Sequence, residues 1–391
     1  MNVFGFTEEQ TAFAEAVREF CRRECGSRER RDQLTDDGKH SHSHELYAKL
    51  AATGYLGVAI PEEYGGSGGG LIEQTLLFEE LWRGIAPVFG AGPSHTVAGI
   101  YLRYADEQQK KSMLSAIAEG QPVSISMSEP GAGSDAAAIS CQARRTDEGF
   151  IINGQKTWCS NADNASRILV LVRTSRGDRP QDGLTMLEVP ADAPGLEIRG
   201  IPTMIGAEVN DIFFTNVVVP HSAVIGDEGR AWPQLMSGLN GERIACAAQS
   251  LGMAQRTFDD LLEYVGQREQ FGSKIGTFQA LRHRIADMAI DLEAARTLIY
   301  TTIRRVEQEL GTDIERVRAT SMAKVKITEV AKHIALEGVQ MMGGYGYALE
   351  YGMEQHLRRS IAPTIYAGTN EIQRDIIAGT YGLRPNARAR G

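Results

Sequence analysis

Residues 236–265, 277–308 and 313–342 each carry apolar side chains at a spacing near 3.6, with no proline inside any of the three runs. Helices of that length cannot hide their apolar stripes alone. They must pack side by side, and with a further helix toward the C-terminus they predict a four-helix bundle. The chain up to Gly120 is also helical in pattern, but in shorter pieces. Thr7-x-x-Gln10 is a capping box ahead of Phe13, Val17 and Phe20 on one face, and Gly54 stops a second helix over 45–52. A glycine run over 65–70 precedes a helix over 71–82, and another covers 108–118. From Pro122 the period changes. Residues 150–152, 167–172, 183–189 and 209–219 are β-branched or apolar runs bounded by Gly, Pro, Asn or Asp, the mark of strands. The order predicts an α+β chain: an N-terminal helical domain over 1–121, a middle β-sheet domain over 122–231 and a C-terminal four-helix bundle over 232–391. Residues 384–391 predict a loose basic tail.

Composition narrows the function. A net charge of −9 argues against general nucleic-acid binding, which needs a basic footprint, but leaves room for a local basic pocket around nucleotide phosphates. No apolar run approaches the ~20 residues that span a bilayer. The start lacks the basic and apolar regions of a secretory signal and the Arg-rich character of a transit peptide, so a cytoplasmic location is expected. The cysteines, Cys21, Cys25, Cys141, Cys159 and Cys246, are odd in number and scattered, which predicts buried, reduced thiols. His40, His42 and His44 could present three imidazoles on one strand face. Zinc needs further ligands and a supporting shell that the sequence does not supply, and a polar inter-helix loop explains them equally well; no metal is expected.

Chemistry concentrates in a few segments. Ser128-Glu129-Pro130-Gly131-Ala132-Gly133-Ser134 follows a short strand over 123–127, and its glycines let backbone amides approach a ring or a phosphate. Gly131-x-Gly133-x-x-Ala136 approximates a dinucleotide fingerprint, but no βαβ unit follows it. Trp158-Cys159-Ser160 comes after a strand. Arg268 and Phe271 lie where one long helix ends, Gln279 where the next begins, and Gln340 to Gly344 where a third stops; an arginine fork suits phosphate. Two further segments are Asn240-Gly241-Glu242-Arg243 and Tyr366-Ala367-Gly368-Thr369-Asn370-Glu371.

In this order, and over nearly the whole chain, these motifs resemble the acyl-CoA dehydrogenases. The resemblance implies FAD held by Met127, Ser128, Gly133 and Ser134, with Trp158 against the flavin ring and the Ser160 hydroxyl two positions on. Cys159 and Ser160 stand where Ile and Thr are usual. It implies that Arg268, Phe271, Gln279, Gln340 and Gly344 reach the pyrophosphate and adenosine end of a neighbouring subunit's FAD, with Thr369 and Glu371 also at the cofactor, and hence a homotetramer. It further implies an acyl-CoA substrate met by Ser134, Asn240, Arg243, Tyr366 and Gly368, and an electron-transfer flavoprotein as acceptor.

One residue breaks the pattern. Many members carry their catalytic glutamate where this chain has Ala367, and a methyl group abstracts nothing. The isovaleryl and long-chain branches carry it immediately before an arginine on a long helix, which is what Glu242-Arg243 offers. The resemblance then implies that Glu242 takes the α-proton while flavin N5 receives the β-hydrogen. The Ala367 N–H and a ribityl hydroxyl of FAD would hold the enolate oxygen, each donor worth ~3–4 kcal/mol. A solvated Glu-Arg pair is the plain alternative, and Asn240 stands where an acidic residue is frequent. Other chemistries on the same fold stay open: an enoyl-CoA reductase, a desulfinase, a monooxygenase, or a non-catalytic partner subunit.

Overall fold

The capping box at Thr7 forms as its residues dictate: the Gln10 N–H donates to the Thr7 hydroxyl at 3.1 Å and the Thr7 N–H to the Gln10 side chain at 3.0 Å. In the computed structural model, which describes residues 4–383, this box opens α1 (Glu8–Cys25), and Val17 and Phe20 are buried along it. The 384–391 tail lies outside the described residues.

Five shorter helices precede the sheet: α2 (Arg28–Thr35), α3 (His44–Ala52), α4 (Leu71–Arg83), α5 (Ala91–Tyr104) and α6 (Glu107–Ala118). The strands are β1 (Val123–Ser126), β2 (Gln142–Arg145), β3 (Gly149–Ser160), β4 (Arg167–Arg173), β5 (Leu184–Pro190), β6 (Leu196–Thr203), β7 (Gly206–Pro220) and β8 (Val224–Ile225). The long helices follow: α7 (Ala231–Gln267), α8 (Gln279–Glu307) and α9 (Asp313–Met342), then short α10 (Gly344–Tyr347), α11 (Met353–Ile361) and α12 (Asn370–Thr380). The chain thus has an N-terminal helical domain, a middle sheet domain and a C-terminal helical domain.

By packing, the chain divides into two bodies along other lines. One takes in residues up to Ser27, Gly70–Ala86 and those from Arg243 on; the other takes in Arg28–Gly69 and Pro87–Glu242. In the first body, α4 carries two buried carboxylates. Glu80 receives a two-pronged guanidinium contact from Arg18 of α1, at 2.6 and 2.9 Å. Glu79 accepts from the Tyr300 hydroxyl of α8 at 2.5 Å and pairs with Arg296. Both carboxylates sit where apolar packing alone would leave a helix free to slide, and each fixes one register.

The second body is built on an eight-stranded sheet of order β6-β7-β3-β2-β4-β5-β8, with β1 added parallel to β4. On β4 the alternation is explicit. Leu169 and Leu171 enter the core shared with Tyr101, Leu114 and Ile117, while Ile168, Val170 and Val172 enter the opposite one with Phe150, Leu187 and Ile212. Burial on both faces explains why this strand reads as one continuous apolar run.

Candidate active site

Two clusters of the second body come together at one end of β1 and β3. The loop after β1 is short of side chains where it is most exposed. A Cβ added at Gly131 or Gly133 would meet nothing within 4 Å, so the loop leaves open space at both positions. Beneath the loop, Lys156 of β3 is fully buried. Its ammonium donates to the Met127 carbonyl at 2.9 Å and to Glu129 at 2.7 Å, while the Thr157 N–H donates to the Ser128 carbonyl at 3.0 Å. Burial alone would push the Glu129 carboxyl up. The Lys156 charge and the Ser140 and Cys141 N–H groups outweigh it and hold the pKa below the usual carboxylate value.

Directly after Lys156 the register of β3 against β7 slips, and the bulge throws Trp158 out of the sheet. Its φ is +60° and its side chain is 60% exposed. A bulky residue in the left-handed region costs energy, and the indole is left open to solvent. Cys159 turns inward, where burial pushes its thiol up to about 12, and Ser160 is half-buried. Exposed Gly133 and Ser134, half-buried Met127 and Ser128, and the Trp158 face therefore belong to one patch suited to a planar ring.

In the first body, the turn before α12 is held from behind. Ala367 has φ +56° and Gly368 φ +77°. The Ala367 carbonyl accepts from Gln373 Nε2 at 3.1 Å and the Gly368 carbonyl from Lys324 Nζ at 3.0 Å. The Ala367 N–H makes no hydrogen bond among the described residues. Thr369 caps α12, its hydroxyl accepting from the Ile372 N–H at 3.2 Å, and exposed Glu371 lies in the first turn, its pKa held down mainly by a backbone N–H there. Tyr366 is exposed. Arg243 of α7 is buried at 6% exposure; in the second body, Asn240 and Glu242 of the same helix are half-buried.

The first body also holds an open cleft of ≈ 530 Å³ lined by Arg268, Phe271, Phe278, Met341, Gly344 and Tyr345, among others. Phe271 sits at the tip of a hairpin between β9 (Glu269–Gln270) and β10 (Ser273–Lys274), and it is 96% exposed. Arg268 lies over the Tyr345 ring at 5.1 Å. Gly343 and Gly344 again have empty space where a Cβ would stand. Gln279 opens α8 and Gln340 lies in the last turn of α9, both exposed. A cation, exposed aromatic faces and bare backbone suit a nucleotide, so the residues present in each body fit FAD.

The three histidines do not share a strand face. His42 is buried, accepts at Nδ1 from the Gly90 N–H at 3.2 Å and is pushed down to about 3 by burial; His40 is exposed, and His44 begins α3. No group of metal-ligating side chains occurs among the described residues. All five cysteines are buried, and none forms a disulfide among the described residues. Sequence reasoning passed over Glu129, Lys156, Lys324, Asn370 and Gln373, the buried polar residues that hold the two exposed segments in place. Their only sequence signal is a charge or amide inside an otherwise apolar helical or strand period.

Family models for the acyl-CoA dehydrogenase N-terminal, middle and C-terminal domains match residues 7–121, 124–217 and 229–381. The caffeyl-CoA reductase-Etf complex subunit CarC of Acetobacterium woodii is 31% identical over 382 residues, spanning 96% of this chain and 98% of its own. An acyl-CoA dehydrogenase from Geobacillus kaustophilus superposes with a TM-score of 0.91 at 32% identity, covering 97% of this chain and 99% of that one. The FAD complex of PigA superposes with a TM-score of 0.90 at 28% identity, over 97% of this chain and 99% of that one. With matched models along its length and relatives alike from end to end, the chain belongs to the acyl-CoA dehydrogenase family and is an FAD-dependent oxidoreductase.

Proposed function

We propose that the protein dehydrogenates an acyl-CoA thioester across its α and β carbons to the trans-2-enoyl-CoA, with Glu242 as the base. The turn at Ala367 carries this reading. Its carbonyls are tied inward by Gln373 and Lys324, its N–H makes no hydrogen bond among the described residues, and its side chain is a methyl group. Such a turn can donate to an oxygen but cannot accept a proton, so the carboxylate must come from another element. Glu242 supplies it: its carboxylate takes the α-proton, and the electron pair moves onto the thioester oxygen, which the Ala367 N–H receives. Bound FAD supplies the acceptor for the β-hydrogen as hydride. Ser134, Asn240, Arg243, Tyr366 and Gly368 bind the acyl-CoA. Met127, Ser128, Gly133, Trp158, Ser160, Thr369 and Glu371 hold the flavin half of FAD. The cleft around Arg268, Phe271 and Gly344, with Gln279 and Gln340 beside it, serves a neighbouring subunit of a cytoplasmic homotetramer; nearly complete exposure of Phe271 supports a partner there.

Electron-transfer flavoprotein as the acceptor is supported by the relative named as an Etf-complex subunit. That same relative, named a reductase, favours a second reading in which Glu242 works in reverse and protonates the α-carbon of an enoyl-CoA. Anaerobic mixing separates the two: saturated acyl-CoAs should bleach the flavin and yield enoyl-CoA, whereas a reductase reoxidises only with enoyl-CoA. Glu242→Gln should keep FAD and acyl-CoA binding while slowing flavin reduction by ~10²–10⁴-fold. Reduction at the parental rate with the best substrate would remove Glu242 from the role of base.

A further inference from the structure

Lys324 sits in α9 with no solvent exposure. Its ammonium donates to the Gly368 carbonyl at 3.0 Å and to Asn370 Oδ1 at 2.9 Å. Asn370, itself buried, donates from Nδ2 to the Thr328 hydroxyl at 3.1 Å, and that hydroxyl donates to the Lys324 carbonyl at 2.8 Å. Fully buried Gln373 secures the neighbouring Ala367 carbonyl. The turn is therefore held at two successive carbonyls by side chains that nothing in the solvent can displace.

Geometry alone does not call for a lysine here. A neutral amide could hold the Gly368 carbonyl, and burying an ammonium is expensive. The charge itself reaches the turn. It is the smallest of the influences that hold the nearby Glu371 carboxyl below its usual range, after the backbone N–H, the Thr369 hydroxyl and the Arg374 charge.

We infer that Lys324 is a positioning residue for the α-proton step: it fixes the Ala367 turn, and its buried positive charge stabilises the enolate oxygen held by the Ala367 N–H. The inference rests on the role proposed above for Ala367. In that step the α-C–H bond breaks, its proton goes to the Glu242 carboxylate, and its electron pair opens the thioester C=O to an oxyanion. No oxidant enters at this point. A fixed cation behind the oxyanion donor lowers the energy of that anion and so acidifies the α-C–H.

The test uses the holoenzyme and a 3-thiaacyl-CoA, whose sulfur acidifies the α-C–H so that it ionises when bound. The pH titration of the bound anion is followed by its long-wavelength absorbance. Lys324→Met should raise the apparent pKa of the bound analogue by about 1–2 units, a loss of acidity of about 10–100-fold. FAD content and affinity for the un-ionised analogue at low pH should stay at parental levels. Asn370→Asp is the second variant and needs no empty space. It keeps an oxygen acceptor for Lys324, Thr328 can turn its hydroxyl to it from 3.3 Å, and the added negative charge cancels the field. The same upward shift is expected. An unchanged pKa in both variants, or a change in affinity without a pKa shift, overturns the role of Lys324. A parental enzyme that never ionises the analogue overturns the Ala367 reading, and this inference with it.

Discussion

Lys156→Met should be among the costliest single substitutions in the sheet body, and its cost should depend on pH in a direction the geometry fixes. Glu129 receives four donors on two oxygens. Oε2 accepts from the Ser140 N–H at 2.7 Å and the Ser140 hydroxyl at 2.9 Å; Oε1 accepts from the Cys141 N–H at 2.9 Å and Lys156 Nζ at 2.7 Å. Glu129 is 6% exposed and Lys156 0%. Methionine fills the lysine's volume but leaves a buried carboxylate without its cation and the Met127 carbonyl without its donor. Removing one partner of such a pair costs about 3–5 kcal/mol. In the parent the Glu129 pKa lies below the ordinary 4.5, so its contribution is complete above about pH 4.5 and is lost as pH falls through the lowered value. In the variant the same carboxyl keeps its burial and loses the cation, so its pKa is higher than in the parent. Protonation then relieves the variant before it harms the parent. The stability gap, measured by urea unfolding between pH 4.5 and pH 8, should be largest at neutral pH and should narrow as pH falls. A gap that stays constant over that range, or one below about 1 kcal/mol at pH 7, refutes the reasoning.

The other expectations are simpler. Arg268→Ala should loosen FAD at least tenfold by ultrafiltration while leaving acyl-CoA analogue affinity unchanged; a chain that is monomeric by light scattering yet holds FAD tightly contradicts the shared cleft. At Ala367, φ +56° costs an alanine about 1 kcal/mol, and glycine would trade that relief for a similar entropic loss. Ala367→Gly should therefore unfold within about 0.5 kcal/mol of the parent, whereas Ala367→Val, β-branched in the left-handed region, should lose about 1–2 kcal/mol.

Much of the fold was legible because the elements announce their own ends. The third long run matches α9 residue for residue: Thr312 caps it, with its hydroxyl accepting from the Glu315 N–H at 3.3 Å, and Gly343 at φ +61° stops it. Helix α5 was missed because Gly92, Pro93 and Gly99 break up its pattern, although Val97, Ile100 and Tyr101 are fully buried on one side. Strand β6 was missed because Glu197, Arg199 and Gly200 leave it half-exposed, and it exists by pairing with β7. The site divides in the same way. Trp158 and the Gly131–Gly133 loop stood out through the family resemblance, and in the structure Trp158, Gly131 and Gly133 are exposed. Lys156 and Lys324 drew no notice in the sequence, because their partners lie 27 and 44 positions away and only the folded chain brings them together.

The loss of a carboxylate at position 367 is tolerable for a physical reason, and the same reason bears on where the base can be. Deprotonating a thioester needs an acceptor for the proton and a donor for the oxygen. In the function proposed above the donor is the Ala367 N–H, in a turn whose carbonyls Gln373 and Lys324 hold, and neither contact depends on the side chain at 367. The acceptor must be a side chain, and it can move. On an α-helix successive residues point about 100° apart, so Glu242 and Arg243 need not share one environment. Arg243 takes the buried direction at 6% exposure, and Glu242 stays half-buried. A guanidinium at 6% exposure speaks against a fully solvated pair. In the function proposed above, the relocated base is this half-buried carboxylate on α7.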